Sequence, residues 1–95
     1  MIINIYYRKN LKLTPQKLAA ACSHVSAALI HQWCENGEYY YPEDTVIRVL
    51  MASDKKFNEI KEDKQSCEET ITHLHIDRGL TEVEPDTGIC FGWIE

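Results

Sequence analysis

The chain has 95 residues, a length that suits one domain with a single modest core. Hydrophobic residues make up 44 % of it and charged residues 26 %, which is ordinary for a globular protein. The formal net charge of −5 argues against tight, non-specific coating of a nucleic acid duplex. We therefore treat residues 1–95 as a single domain.

The charge is unevenly distributed along the chain. Residues 1–20 contain four cations and no acid, a local charge of +4, so the remaining residues carry −9. The four cations are Arg8, Lys9, Lys12 and Lys17. A basic segment on an otherwise acidic body is compatible with a small, localised phosphate contact, although four cations in twenty residues also occur by chance.

Membrane, metal and cofactor signals are weak. No apolar run approaches membrane-spanning length, and the N-terminus lacks a signal peptide's basic-then-apolar pattern, so we expect a cytoplasmic protein without membrane contacts. The four cysteines contain no C-x-x-C pair, and we interpret them as reduced, buried thiols. We expect no disulfide, no metal and no cofactor.

The first predicted elements are a strand and a long helix. Residues 2–7 are β-branched and aromatic and mostly apolar on both faces, which predicts an interior strand. A loop over 8–13 leads to a helix over 15–35. Thr14 suits the N-cap of that helix, and Pro15 suits its first position, where a missing N–H costs nothing.

Two lines of side chains follow this helix. One line is predicted to be buried, with spacings of four, three and four: Leu18, Cys22, Val25 and Leu29. The second line consists of Lys17, Ala21, His24, Ala28 and His31. Lys17 and His24 thus project from one side, two turns apart, with only a methyl group between them, which makes a candidate site. The alternative is a solvated lysine and a partly buried histidine.

The rest of the chain predicts three strands and one helix. A strand over 45–52 is followed by a helix from Asp54 to about residue 62, capped by Ser53. Period-two alternation over 70–76 predicts a strand with one wetter face, and residues 89–94 form a last, very apolar strand.

A His-x-His pair lies within the third predicted strand. His73 and His75 fall on the same side of that strand, and such a pair can bind a metal ion. No third ligand is indicated nearby. We therefore favour the interpretation that they are polar residues of the strand's wetter face.

The predicted order, β-α-β-α-β-β, indicates an α/β fold with a four-stranded mixed sheet and helices packed on it. Sites in such sheets form outside the carboxyl ends of the parallel strands. If the third strand runs parallel to the first, Asp77 emerges where the chain leaves the first strand toward Lys17. Lys17, Asp77 and Thr81 would then converge.

Two segments resemble a known family. R-K-N-L-K-L (residues 8–13) followed by K-L-A-A-A-C-S-H (residues 17–24) resembles the opening motif of the type II, archaeal and eukaryotic, peptidyl-tRNA hydrolases. D-R-G-L-T-E-V-E-P (residues 77–85) resembles that family's D-x-G-x-T-x-I-x-P-G segment. The two motifs occur in the family's order, and the strand over 89–92 also fits.

Four departures from the family pattern matter for the interpretation. The departures are Asn10 for Asp, Gln16 for Gly, Ala21 for Gln and Asp86 for Gly. The replaced Gln is counted among the family's functional residues. The sequence also ends at Glu95, where family members continue into a C-terminal helix.

The resemblance implies hydrolysis of the ester that joins a peptide to the terminal ribose of tRNA. It implies that Lys17 stabilises charge, that Asp77 orients or deprotonates water, and that Thr81 holds that water or stabilises Asp77. His24 would orient a neighbour or the substrate. The cations Arg8, Lys9 and Lys12 would contact tRNA phosphates without reading bases.

Two other functions remain open at this point. One is a catalytically weak module that binds tRNA or a protein on the same scaffold, which Ala21 and the missing last helix favour. The other is a protein-interaction domain that exposes the tyrosine run over 39–41.

We also expect a homodimer. The last strand is apolar along its whole length, and no later segment of the sequence is available to cover it. Some combination of four side chains would then be exposed at an interface, with contributions from the tyrosine run over 39–41: Ile89, Phe91, Trp93 and Ile94.

Overall fold

A computed structural model of the chain describes residues 1–37, 43–77 and 87–95. Within these ranges the elements are β1 (Ile2–Arg8), α1 (Pro15–Glu35), β2 (Val46–Ala52), α2 (Asp54–Gln65), β3 (Thr72–Asp77) and β4 (Thr87–Ile94). A short 3₁₀ turn, Lys9–Leu11, joins β1 to the loop before α1. The predicted α/β fold and its element order are confirmed.

The strands form one mixed sheet in the order β2-β1-β4-β3. β1 pairs with β2 in parallel and with β4 in antiparallel orientation, and β4 pairs with β3 in antiparallel orientation. Because β1 and β3 both oppose β4, they run parallel to each other. The strands β1, β2 and β3 therefore end on the same side of the sheet, at Arg8, Ala52 and Asp77. We call this side the carboxyl-end rim.

One helix packs against each face of the sheet. On the α1 face, Ala21, Val25 and Leu29 pack against strand residues that include Ile3 and Ile5. On the opposite face, Phe57 of α2 belongs to the second cluster. Its other buried members are Ala52, Phe91 and Trp93. Successive side chains of a strand point to opposite faces of the sheet, so they belong alternately to these two clusters.

Side chains cap both helices at their N-termini. The hydroxyl of Thr14 accepts a hydrogen bond from the backbone N–H of Lys17 at 3.2 Å, as the sequence predicts. The hydroxyl of Ser53 accepts from the N–H of Lys56 at 3.2 Å. Each cap satisfies one of the backbone donors that the first helical turn leaves without a partner. Neither described helix has the length and apolar character needed to cross a membrane.

The prediction of an exposed apolar patch on β4 is wrong. This strand lies between β1 and β3, so it is an interior strand with a helix layer on each face. Ile89 and Phe91 are fully buried and Trp93 is 8 % exposed. The homodimer itself stays a prediction, and the tyrosine run over 39–41 lies outside the described residues.

Two predictions about burial on α1 and at the cysteines are also corrected. Ala21 is 1 % exposed and belongs to the core, so its methyl group does not line an open site. The reason is that the buried stripe follows Ala21, Val25 and Leu29, while Leu18 is only partly buried. The four cysteines are free, as expected, but two of them are exposed: Cys34 and Cys67.

Candidate active site at the carboxyl-end rim

Arg8, the last residue of β1, joins three elements at the carboxyl-end rim. Its Nε donates to Oδ1 of Asp54 at 2.9 Å, which ties β1 to the first turn of α2. Its Nη1 donates to the backbone carbonyl of Gly88 in β4 at 3.1 Å. The guanidinium also lies 5.7 Å from the ring centroid of Phe57, a cation–π contact. This part of the rim is therefore rigidly connected.

The carboxylate of Asp54 accepts hydrogen bonds through both of its oxygens. Its second oxygen, Oδ2, accepts from Nδ2 of Asn10 at 2.9 Å. The hydrogen bond from Arg8 is the main reason that the pKa of Asp54 lies below its ordinary value. Asp54 is therefore ionised at neutral pH and holds both donors.

This contact gives a physical reason for one departure from the family pattern. Asn10 donates an amide N–H to a carboxylate, which an ionised aspartate at the same position cannot do. An aspartate there would place two carboxylates within hydrogen-bonding distance, with mutual repulsion. Asn10 is thus matched to Asp54.

The contacts between α1 and β3 define how the helix lies on the sheet. Gln32 donates through Nε2 to the carbonyl of Thr72 at 3.0 Å, near the start of β3. His24 stacks on His75, with ring centroids 4.8 Å apart and planes inclined by 7°. The helix therefore runs antiparallel to β3, and its N-terminal end points toward the carboxyl-end rim.

The antiparallel packing of α1 on β3 determines how far apart Lys17 and Asp77 lie along the direction of the strand. Lys17 precedes His24 by seven residues, or about 10 Å of helix. That length corresponds to about three residues of strand beyond His75. The first turn of α1 is therefore level with the end of β3, where Asp77 pairs with Thr87. The rim thus brings the backbone positions of two predicted catalytic residues to the same end of the fold.

Three histidines form a cluster where α1 packs against β3: His24, His73 and His75. Burial, and next the nearby charge of His24, lower the pKa of His73 below its ordinary value of 6.5. The structure thus links His24 to two histidines that the sequence interpretation treated as polar residues of a strand's wetter face. Among the described residues, no group of three or more His, Cys, Asp or Glu side chains is arranged to hold a metal ion.

The predicted phosphate contacts fall into two kinds. Lys9 and Lys12 are exposed in the connection between β1 and α1. Lys12 has φ 50° and ψ 50°, the left-handed conformation, which closes the 3₁₀ turn. Arg8 is instead engaged by Asp54 and Gly88. Thr81 lies outside the described residues.

Asp54 and His75 were not among the predicted site residues. A signal for Asp54 was present, since it follows a strand that runs parallel to β1 and so begins its helix at the carboxyl-end rim. His75 lies two residues before Asp77 on the same strand. Only the placement of α1 brings it against His24.

The fold and the rim define a class of protein: a small α/β domain whose polar residues gather at the carboxyl ends of parallel strands. A family model described as peptidyl-tRNA hydrolase PTH2 matches residues 1–94. The chain therefore belongs to the type II peptidyl-tRNA hydrolase family, as its two motifs indicated. A comparison with curated protein sequences gives no match.

Proposed function

We propose that this protein hydrolyses the ester bond of peptidyl-tRNA and releases a peptide and free tRNA. Family membership over nearly the whole chain is the observation that carries the proposal. The alignment of α1 with β3 supports it, because that alignment brings the turn of Lys17 level with the strand end at Asp77.

Ester hydrolysis requires an activated water, a stabiliser for the carbonyl oxyanion and neutralisation of the leaving ribose oxygen. Lys17 supplies positive charge for the oxyanion or the leaving oxygen. Asp77 orients the water or accepts its proton, and Thr81 holds that water or stabilises Asp77. His24, stacked on His75, orients a neighbouring group or the substrate.

The tRNA is held through its phosphates. Lys9 and Lys12 are exposed cations in the connection that leads to α1, so both are accessible to a phosphate backbone. Arg8 contributes in a second way, because its bonds to Asp54 and Gly88 fix the strand end from which that connection departs. A phosphate that binds Arg8 competes with Asp54.

The direct test is deacylation of an N-acylated aminoacyl-tRNA. Lys17→Ala and Asp77→Ala should each lower the rate by at least about 100-fold, the usual cost of losing a group that stabilises developing charge. Thr81→Ala should cost about 10- to 100-fold, as expected for one hydrogen bond to a charged or reacting group.

Lys61→Ala in α2 is the matched control for the lysine substitution, and circular dichroism checks the fold of every variant. A loss of about two-fold or less in Lys17→Ala or Asp77→Ala removes that residue from the mechanism. The comparison thus separates a catalytic lysine from a general effect of charge.

A catalytically weak tRNA-binding module on the same scaffold is the second candidate. The observation that favours it is Ala21, a buried methyl group where the family has a functional glutamine. Retention of tRNA binding without any deacylation by the wild-type chain would select this function over hydrolysis.

A further inference from the structure

Two of the four cysteines meet where α1 packs on the sheet. Cys22 lies on α1 and is partly buried, whereas Cys90 lies on β4 and is fully buried. The Cys22 side chain packs against the core cluster to which Cys90 belongs. The S–H group of Cys90 donates a hydrogen bond to the sulfur of Cys22. Both thiols are free in the structure, and the proposed hydrolysis uses neither of them.

The packing of α1 on β4 places these two cysteines at the same level. Both α1 and β4 run antiparallel to β3, so they run in the same direction. Val25 of α1 meets β4 at Gly92. Cys22 lies three residues before Val25, and Cys90 lies two residues before Gly92. These steps correspond to about 4.5 Å of helix and about 6.6 Å of strand, so the cysteines remain opposite each other.

A second contact supports this alignment from the other side. His75 is the register partner of Cys90 in the sheet, and its ring stacks on that of His24, two residues after Cys22. A disulfide requires two Cα atoms about 4.4–6.8 Å apart, a separation that only close packing provides. The missing side chain at Gly92 gives α1 and β4 this close packing next to the pair.

The two thiols differ in reactivity. The hydrogen bond from Cys90 lowers the pKa of Cys22 below its ordinary value, in spite of partial burial. Donating that hydrogen bond, together with burial, raises the pKa of Cys90. Because the thiolate is the nucleophilic form of cysteine, Cys22 is the more reactive thiol as well as the more accessible one. An accessible cysteine of lowered pKa beside a second thiol is typical of redox-sensitive pairs.

We propose that Cys22 and Cys90 form a reversible redox pair, which a peroxide oxidises to an intramolecular disulfide that fastens α1 to β4. In the first step, the sulfur of Cys22 attacks one oxygen of hydrogen peroxide and the O–O bond breaks. Cys22 becomes a sulfenic acid, and its thiol proton leaves with the other oxygen as water. In the second step, the sulfur of Cys90 attacks Sγ of Cys22, and the hydroxyl group leaves with the Cys90 proton as a second water. The two thiols thus lose two electrons to the peroxide, and a dithiol reductant reverses the change by thiol–disulfide exchange.

The disulfide acts on the helix that carries the candidate active site. Lys17 precedes Cys22 by five residues, or about 7.5 Å of helix. A covalent bond at Cys22 therefore holds the first turns of α1 against β4. The bond also joins residues near the two ends of the chain, so it restricts the unfolded state and makes the oxidised form the more stable one.

Mass spectrometry of peroxide-treated, folded protein tests the pair. A Cys34→Ser, Cys67→Ser variant lacks the two exposed thiols and keeps only the proposed pair. After a small molar excess of hydrogen peroxide, it should lose the mass of two hydrogen atoms and bind no alkylating agent when unfolded. A tryptic digest without reductant should link residues 18–48 to residues 79–95, and dithiothreitol should separate them.

Trapping of the sulfenic acid tests the order of the two steps. In the same double-serine background, Cys90→Ala should accumulate the sulfenic acid of Cys22, which dimedone labels. Cys22→Ala should give little label, because the remaining Cys90 is fully buried. Stronger labelling of Cys90 than of Cys22 would contradict the proposed roles.

Thermal unfolding measures the fastening of α1. The oxidised double-serine variant should unfold at a higher temperature than its reduced form, and dithiothreitol should abolish the difference. Cys22→Ala in the same background, treated in the same way, controls for oxidation of the methionines and should show no increase. Thiols that stay free after peroxide treatment, inter-chain links alone, or an oxidised form less stable than the reduced form would overturn the proposal. None of these measurements depends on hydrolytic activity.

Discussion

His24, His73 and His75 lie where α1 packs against β3, and this packing affects the protonation of His73. The rings of His24 and His75 are stacked, with centroids 4.8 Å apart. Burial and the charge of His24 lower the pKa of His73, so the folded protein favours its neutral form. The unfolded chain has no such preference.

We predict that stability falls on acidification through this histidine. As the pH drops below about 6.5, the unfolded state takes up the His73 proton before the folded state does, and folding stability is lost until the pH reaches the lowered folded pKa. Thermal unfolding of wild type and His73→Gln at several pH values measures this. The variant should lose less stability between pH values of about 7.5 and 5.5. Above about pH 8, where the histidine is neutral in both states, the difference should be independent of pH.

Ala21 gives a second prediction at the scale of one residue. Restoring the family's glutamine would place a larger side chain, with a polar amide, at a position that is 1 % exposed and packed with Val25 and Leu29. We expect Ala21→Gln to lower stability by about 1–3 kcal/mol through overpacking, without raising the deacylation rate. Denaturant unfolding and the deacylation assay measure the two effects. A faster and equally stable variant would mean that the core admits the amide toward the rim.

At the scale of elements, the approach of α1 to the sheet depends on one glycine. A Cβ at Gly92 of β4 would overlap Cγ1 of Val25 and lie 3.1 Å from both Cδ1 of Leu29 and the backbone oxygen of Asn4. The helix can therefore lie this close to β4 only because no side chain separates them. The same closeness buries Val25 and Leu29 completely.

We predict that Gly92→Ala destabilises the protein by about 1–3 kcal/mol or more, because a backbone oxygen and two well-packed side chains must all move. Gly88→Ala in the same strand is the matched control. The atoms nearest its Cβ would belong to the Leu74 side chain, the first at 3.3 Å, with no backbone atom among them, so the loss should be smaller. Equal unfolding midpoints for the two variants would contradict this account of the helix–sheet contact.

At the scale of the whole molecule, the charge distribution determines how a polyanion approaches. The net charge is −5, yet the connection between β1 and α1 carries the exposed Lys9 and Lys12 beside the candidate site. An acidic body with one basic segment directs a phosphate backbone toward that segment.

We predict that binding of tRNA weakens with salt partly through these two lysines. Replacing Lys9 by Gln and Lys12 by Asn should reduce the slope of log affinity against log salt by about 1 to 2. Asn is chosen at position 12 because it tolerates the left-handed conformation found there. Lys61→Gln in α2 is the control and should leave the slope unchanged. An unchanged slope in the double variant would exclude both lysines from the phosphate contact.

The sequence by itself determined the elements, their order and the family, because these depend on local patterns. The β-branched run of β1, the Thr14–Pro15 start of α1 and the alternation of β3 each set a backbone conformation within a few residues. The two motifs then identified the family that residues 1–94 match.

Only the tertiary structure decided which residues are buried and which elements touch. The uniformly apolar β4 and the apolar β2 look alike in sequence, yet β4 lies inside the sheet and β2 lies at its edge. Helical spacing placed Ala21 on the line of Lys17 and His24, whereas the close approach of α1 to the sheet at Gly92 leaves Ala21 in the core. The bonds from Arg8 and Asn10 to Asp54 span more than forty residues, so they follow from the order of strands and not from any local pattern.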